Sequence, residues 1–307
     1  MKSKLNNIPQ HFRTISDMLH TFNLPKPLHP LICLLDYSDI VKAGNMLSAN
    51  FVTDFYSIYY NKKAGCRASY GQTIYDFAEG GMSFISPGQP LTCLNATEPV
   101  EGFTLLIHPD FLRQYPLDAR IKNYGFFSYS VNEALLLSDK ERQVIQTIVN
   151  IIEDELKTSI DDLSQDVLVS QLDLLLNYSQ RFYKRQFITR KIINNDLLDQ
   201  FDSVLSRYFK EETSLNKGLP TVTYLAEALK VSPRYLSDML RLYTGNNTQQ
   251  HIHKKLIEKA KEKLSISSAS ISEIAYELGF EHSQSFSKLF KKQTNQSPLE
   301  FRASLNN

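Results

Sequence analysis

The 307-residue chain has no tryptophan, 3 cysteines, 11 glycines and a net charge of only +1. Cys33, Cys66 and Cys93 are odd in number and lack zinc-like spacing, which excludes a disulfide framework. They read as reduced, mostly buried thiols of a cytoplasmic protein. Nowhere do the ~18–20 consecutive apolar residues of a bilayer-spanning helix occur. The first 30 residues hold no apolar core of the signal-peptide kind, so no membrane contact is expected. None of the histidines (His11, His20, His29, His108, His251, His253 and His282) falls between 31 and 107, where strands are read, which argues against a His-bound metal. His251 and His253, two apart on a helix, point away from each other. There is no glycine-rich phosphate loop and no nucleophile–base constellation. Catalytic residues, a metal and a cofactor are therefore not expected, and the chain does not read as an enzyme.

The near-zero charge conceals an uneven distribution. Residues 214–307 carry 13 Lys+Arg against 8 Asp+Glu, a net of +5, while residues 1–213 carry 21 against 25, a net of −4. A basic end on an acidic remainder suits a nucleic-acid module joined to a domain with another task. A charge of +5 is modest, so base contacts and dimerisation would have to assist phosphate attraction.

The basic end contains an internal repeat. Sliding 222–240 by 49 residues pairs Val222 with Ile271, Leu225 with Ile274, Ala226 with Ala275, Leu229 with Leu278 and Val231 with Phe280. One extra residue then pairs Leu236 with Phe286, Met239 with Leu289 and Leu240 with Phe290. A repeated apolar skeleton with variable polar residues is one supersecondary unit used twice. Both copies have the helix-turn-helix pattern, over 222–244 and 271–294, whose second helix enters a DNA major groove. Ser232-Pro233 marks a helix start, as do Ser270 with Glu273 and Ser297-Pro298-Leu299-Glu300. Between the units, 248–264 reads as one helix of ~25 Å. It is long enough to hold two recognition helices about 34 Å apart, one turn of B-DNA.

Upstream, 31–112 reads as β-rich. The runs 31–37, 51–61, 68–77, 82–85 and 102–107 are strand-like and separated by Gly, Pro and Asn. Such short strands suggest a sandwich or barrel. Residues 1–30 read as a short helix near Ile15 with an extended arm. After Ser138, which forms a capping box with Glu141, Val144, Ile148, Ile151, Ile152 and Leu156 recur at helical spacing. A second helix from Asp161 or Asp162 carries Leu168, Leu172, Leu175, Tyr178 and Phe182. These helices, within 138–185, would cover the β-domain or a partner chain. The segment 184–195 is the candidate hinge, dividing 1–190 from 191–307.

The motif Ile271-Ser272-Glu273-Ile274-Ala275-Tyr276-Glu277-Leu278-Gly279-Phe280, then 286–292 and 297–302, resembles the AraC/XylS family of bacterial transcription regulators. The resemblance covers about 195–307. It implies an α+β chain: an all-α, seven-helix, tandem helix-turn-helix domain behind a cupin-like jelly roll with two helices. It further implies an activator rather than a repressor, RNA polymerase as a partner, and upstream sensing of a small molecule or control of dimerisation, while the long apolar rows of the two helices within 138–185 lead us to expect a homodimer joined through them. Lys230 departs from it at the turn where the second unit has Gly279, and so does Asp238, on a face where basic or amide residues are usual.

The candidate DNA contacts are Ser283, Gln284, Ser287 and Lys288, opposite the Phe286/Leu289/Phe290 face. Glutamine can bond an adenine edge twice, and lysine reaches guanine or phosphate. Lys291 and Lys292 suit the DNA backbone. In the first unit Arg234, Ser237 and Arg241 hold the matching face, beside an Asp238 that would repel phosphate. The bland alternative is a solvated helix face, and it fits most of Lys254, Lys255, Lys259, Lys261 and Lys263. Phe55, Tyr56, Tyr59, Tyr60, Tyr70, Tyr75 and Phe77 either line a pocket or form core, and no effector contact can be assigned. The rival readings are a DNA binder controlled by a protein partner, and a cupin-like carbohydrate-binding protein or enzyme with a structural tail.

Overall fold

The computed structural model describes residues 9–43, 50–62, 67–70, 73–76, 81–93, 101–130, 133–158, 161–189, 191–210, 214 and 218–305. The chain separates into two compact units, Met1–Thr189 and Arg190–Asn307.

In the first unit nine strands form two sheets. One has the order β1 (Gln10–Phe12), β3 (Asn50–Thr53), β8 (Pro90–Cys93), β5 (Arg67–Tyr70), β6 (Thr73–Asp76). The other has the order β2 (Ile32–Asp36), β9 (Gly102–Ile107), β4 (Tyr56–Asn61), β7 (Gly81–Ile85). Phe12, Phe51 and Leu91 of the first sheet share a core with Cys33, Leu35, Ile85 and Leu106 of the second. Helix α1 (Ile15–Thr21), capped by Thr14 through the Asp17 amide, seals that core with Ile15, Met18 and Leu19.

The sequence pattern misplaced several boundaries. The run 51–61 is two strands, because the chain bends at Asp54-Phe55 and crosses from one sheet to the other. The run 68–77 contains two paired antiparallel strands, β5 and β6, with Phe77 outside the described residues. β1 and β8 were not anticipated. β1 lies in the supposed arm, pairing in parallel with β3, and β8 begins at a proline. Short helices α2 (Tyr37–Ala43), α3 (Pro109–Leu112) and α4 (Pro116–Ile121), with a 3₁₀ turn at Gly125–Ser128, add to the two long ones. None is long enough to show helical periodicity.

The second sheet is buried on both faces, which is why β4 and β9 are apolar without clean alternation. Met82, Phe84, Ile58, Leu105 and Ile107 are buried on the face away from the first sheet. The long helices α5 (Asp139–Lys157) and α6 (Ser164–Thr189) bury Ile145, Ile148, Val149 and Ile152, and Leu168, Leu172, Leu175, Phe182 and Tyr183. At the start of α5 the Ser138 amide donates to Glu141 Oε2 at 2.8 Å. Arg185 of α6 grips the same carboxylate and donates to the Leu136 carbonyl at 2.8 Å. The candidate hinge, 184–195, is helical over its described residues. Residues 184–189 continue α6, and helix α7 begins at Lys191.

Tyr56 and Tyr60 lie on the outer face of β4, while Tyr59 packs against the sandwich core, so these three tyrosines do not line one pocket. The side chains of Tyr70 and Tyr75 lie outside the described residues. Burial pushes the Cys33 thiol up to about 11 from 9.0. With Cys66 and Cys93 replaced by serine, Cys33 is expected to react with a charged maleimide about a hundredfold more slowly than a free thiol near neutral pH. Labelling at the free-thiol rate would show that the inward face of β2 opens.

The second unit is helical: α7 (Lys191–Lys210), α8 (Val222–Ala228), α9 (Pro233–Thr244), α10 (Thr248–Ile266), α11 (Ile271–Glu277), α12 (Ser283–Thr294) and α13 (Pro298–Leu305). Among the described residues, no helix of either unit is long and apolar enough to cross a membrane.

Candidate nucleic-acid interface

Each recognition helix is fixed by what it buries. α9 sinks Tyr235, Leu236, Met239 and Leu240, and α12 sinks Phe286 and Phe290. The Phe286 ring packs tilted on Phe280 at 5.5 Å and on Phe290 at 5.8 Å, and Phe290 meets Phe301 of α13 edge-on at 5.6 Å. The starts of the helices follow the sequence. Ser232 Oγ accepts from the Tyr235 amide at 3.2 Å, with Pro233 in the first turn. Ser270 and Glu273 form a reciprocal box at the start of α11. Ser297 and Glu300 repeat that exchange at 2.6 and 3.2 Å before α13.

The two turns solve one steric problem differently. After α8, Lys230 adopts φ +58, and after α11, Gly279 adopts φ +93. A side chain can occupy that left-handed conformation at Lys230, at a cost that glycine avoids. At Gly279 it cannot, because a Cβ there would lie 2.7 Å from the Gly218 carbonyl carbon and 2.8 Å from its oxygen. Nothing in the residues around 218 announces this contact, which joins parts of the chain some sixty residues apart.

The outward face of α12 presents Gln284, Lys288, Lys291 and Lys292, all exposed, with Ser283 and Ser287 half-buried beside them. The helix contains no acidic residue, so the only charges on its exposed face are the cations Lys288, Lys291 and Lys292. On α9, Arg234 and Arg241 are exposed. Two of its polar residues differ from expectation. Ser237 Oγ is within 2.9 Å of the hydroxyl of the fully buried Thr248, tying α9 to α10 and turning Ser237 inward. Asp238 is not an isolated repulsive charge, because its Oδ2 accepts from Arg234 Nε at 3.0 Å. Thr248, read only as a helix start, is the residue whose importance sequence reasoning missed.

The connecting helix α10 runs Thr248–Ile266, started by a box between Asn247 and Gln250. Its lysines largely neutralise within the unit. Lys259 pairs with Glu262 at 2.7 Å, Lys263 with Glu277 at 2.5 Å, and Lys255 lies 3.8 Å from Glu258. Lys261 sits over the Phe301 ring, while Lys254 is exposed. Burial lowers the pKa of His251 and of His253, with Lys292 adding to the effect at His253. Among the described residues no group of three or more His, Cys, Asp or Glu side chains could hold a metal.

Residues 225–304 match the family model of a helix-turn-helix domain. The HTH-type transcriptional activator RhaS of Salmonella schwarzengrund is 31% identical over 140 residues, 45% of this chain and 45% of that protein. The chain thus spans less than half the length of the curated relatives it matches. Among solved structures, the C-terminal domain of the response regulator yesN from Fusobacterium nucleatum is 30% identical, covering 33% of this chain and 96% of that one, with a TM-score of 0.29. An AraC-type transcriptional regulator from Chromobacterium violaceum is 22% identical over 36% of this chain and 93% of its own, with a TM-score of 0.32. The likeness thus lies in the second unit, where residues 225–304 match a helix-turn-helix domain and the chain is similar to HTH-type transcriptional activators.

Proposed function

We propose that this protein is a sequence-specific DNA-binding transcription regulator, acting as an activator, that inserts α9 and α12 into adjacent major grooves. The observation that carries this is the pairing, in both helices, of a buried apolar face with an exposed polar one, within a family-matched tandem motif. Gln284 and Lys288 read bases from α12, with Ser283 and Ser287 beside them, while Lys291 and Lys292 contact phosphate. Arg234 and Arg241 serve α9, and Ser237 acts there by joining α9 to α10. Selection from random duplexes should return a defined sequence, with binding that falls steeply as salt rises. Gln284→Ala or Lys288→Ala should each weaken that binding by ~1–3 kcal/mol with helix content unchanged. A folded chain that selects no sequence overturns the reading.

The first unit, about residues 1–190, is the regulatory part in this reading, and RNA polymerase is the partner an activator engages. A small polar effector is supported by Thr104 Oγ1 and Asn61 Oδ1. Both are buried on the inward face of the second sheet and have no partner among the described residues. Homodimerisation rests on a narrower surface than the apolar rows of α5 and α6 suggest, because Ile148 and Leu175 are buried in their own unit. Ile151, Leu163, Val167 and Leu174 remain exposed, between 38 and 64%. Val167→Glu with Leu174→Glu should dissociate a dimer in sedimentation without lowering the unfolding midpoint. A dimer that survives both changes has its interface elsewhere.

A further inference from the structure

We propose that Asp238 is a positioning residue that holds the Arg234 guanidinium as a fork for guanine, making guanine the base preference of the first recognition helix. The inference rests on the DNA-binding reading and deepens it. Arg234 and Asp238 lie one turn apart on the outward face of α9, their side chains 48 and 21% exposed. The carboxylate accepts the Nε–H at 3.0 Å. A guanidinium held by that edge is fixed about its own plane and directs its Nη groups away from the carboxylate. Guanine offers O6 and N7 as two acceptors spaced for such a pair of donors.

Helix stability does not account for the arrangement. Arg234 stands in the first turn of α9, where a positive charge opposes the helix dipole. Arginine preceding its acid is also the weaker order for a pair four residues apart. An exposed ion pair by itself contributes little. The corresponding positions of the second repeat are Gln284 and Lys288, in a helix with no carboxylate at all. Of the two recognition helices only α9 carries an acid that could orient an arginine, so the two helices read their bases by different chemistry. Ser237 is drawn to Thr248, which leaves Arg234 and Asp238 as the outward polar groups of α9's first two turns, with Arg241 following in its last.

The test uses the full chain on its selected duplex, with each guanine replaced in turn by 7-deazaguanine, which lacks the N7 acceptor. Arg234→Ala should weaken binding about ten- to a hundredfold, and should no longer respond to 7-deazaguanine at one position. Asp238→Ala should erase the guanine preference there, whereas Asp238→Asn, which keeps an acceptor oxygen but no charge, should retain most of it. All three side-chain changes are on an exposed face, and unchanged helix content confirms folding. If Asp238→Ala and Asp238→Asn both tighten binding, the acid merely repelled phosphate and the proposal is wrong. Equal weakening by Arg234→Ala on all duplexes also overturns it, since that is a phosphate contact. If these variants leave base preference intact while Gln284→Ala weakens binding, this inference alone falls. Selection of no duplex brings down the DNA-binding reading and this one with it.

Discussion

Gly279→Ala is expected to destabilise the C-terminal unit by ~3 kcal/mol or more. Two costs coincide at this position. The φ of +93 is one that side chains rarely adopt, and the added Cβ would lie within 2.8 Å of the Gly218 carbonyl and 3.0 Å of the Leu219 amide nitrogen. The obstructing atoms are all backbone, so no rotamer change relieves the clash. Nor can residue 218 retreat easily. Its amide donates to the Ser214 carbonyl at 3.0 Å, and its oxygen accepts from the Tyr208 hydroxyl at 3.0 Å. The matched control is Lys230→Gly, which should gain up to ~1 kcal/mol, because that turn already has left-handed geometry at φ +58. Urea unfolding followed by far-ultraviolet circular dichroism would measure both. An unchanged midpoint for Gly279→Ala would mean that the 218–219 contact is not maintained in solution. Specific DNA binding should fall with stability, since this turn sets the angle between α11 and α12.

The second unit was far more legible in sequence than the first. Its helix starts are set by local chemistry, with Ser232-Pro233, Ser270 with Glu273 and Ser297 with Glu300 each satisfying amides within three residues. Its apolar skeleton is written twice, so each copy corroborates the other. What stayed hidden there was pairwise and non-local. The Gly279–Gly218 contact, the Ser237–Thr248 bond and the ion pairs that neutralise α10 need the fold before they exist. The Arg234–Asp238 pair was within reach, since a spacing of four places both on one helix face. Reading Asp238 against phosphate, rather than against its neighbour one turn back, obscured it.

In the first unit the difficulty was the two-sided burial of the second sheet. Strands covered on both faces lose the alternation that marks a register, and a bend as short as Asp54-Phe55 then disappears inside one long aromatic run. β8 begins at a proline, and β1 has only 3 residues. Neither offers enough pattern to read. The helices α5 and α6 were visible from their period, but a period says only that one face is covered, not by what.

Phe84→Ala addresses that cover directly and should cost the N-terminal unit ~3–5 kcal/mol. Phe84 is 2% exposed on the face of β7 turned away from the first sheet. Its ring lies 4.5 Å from that of Phe126, 5.5 Å from Phe127 and 6.1 Å from Tyr183 of α6. Tyr183 in turn stacks on Phe126 at 5.4 Å and donates to the Glu133 carbonyl at 3.2 Å. The 3₁₀ turn and α6 are thus attached to the sheet through one aromatic cluster, and removing its central ring leaves a cavity that three rigid neighbours cannot close. Had the apolar rows of α5 and α6 faced a partner chain instead, the same substitution would barely affect the folded monomer. Phe84→Ala should therefore lower the unfolding midpoint of the N-terminal unit at every protein concentration, and expose enough apolar surface to bind a hydrophobic dye below the transition. A loss that appears only on dilution, together with a shift in sedimentation and an unaltered monomer, would return the two helices to the role of a dimer core.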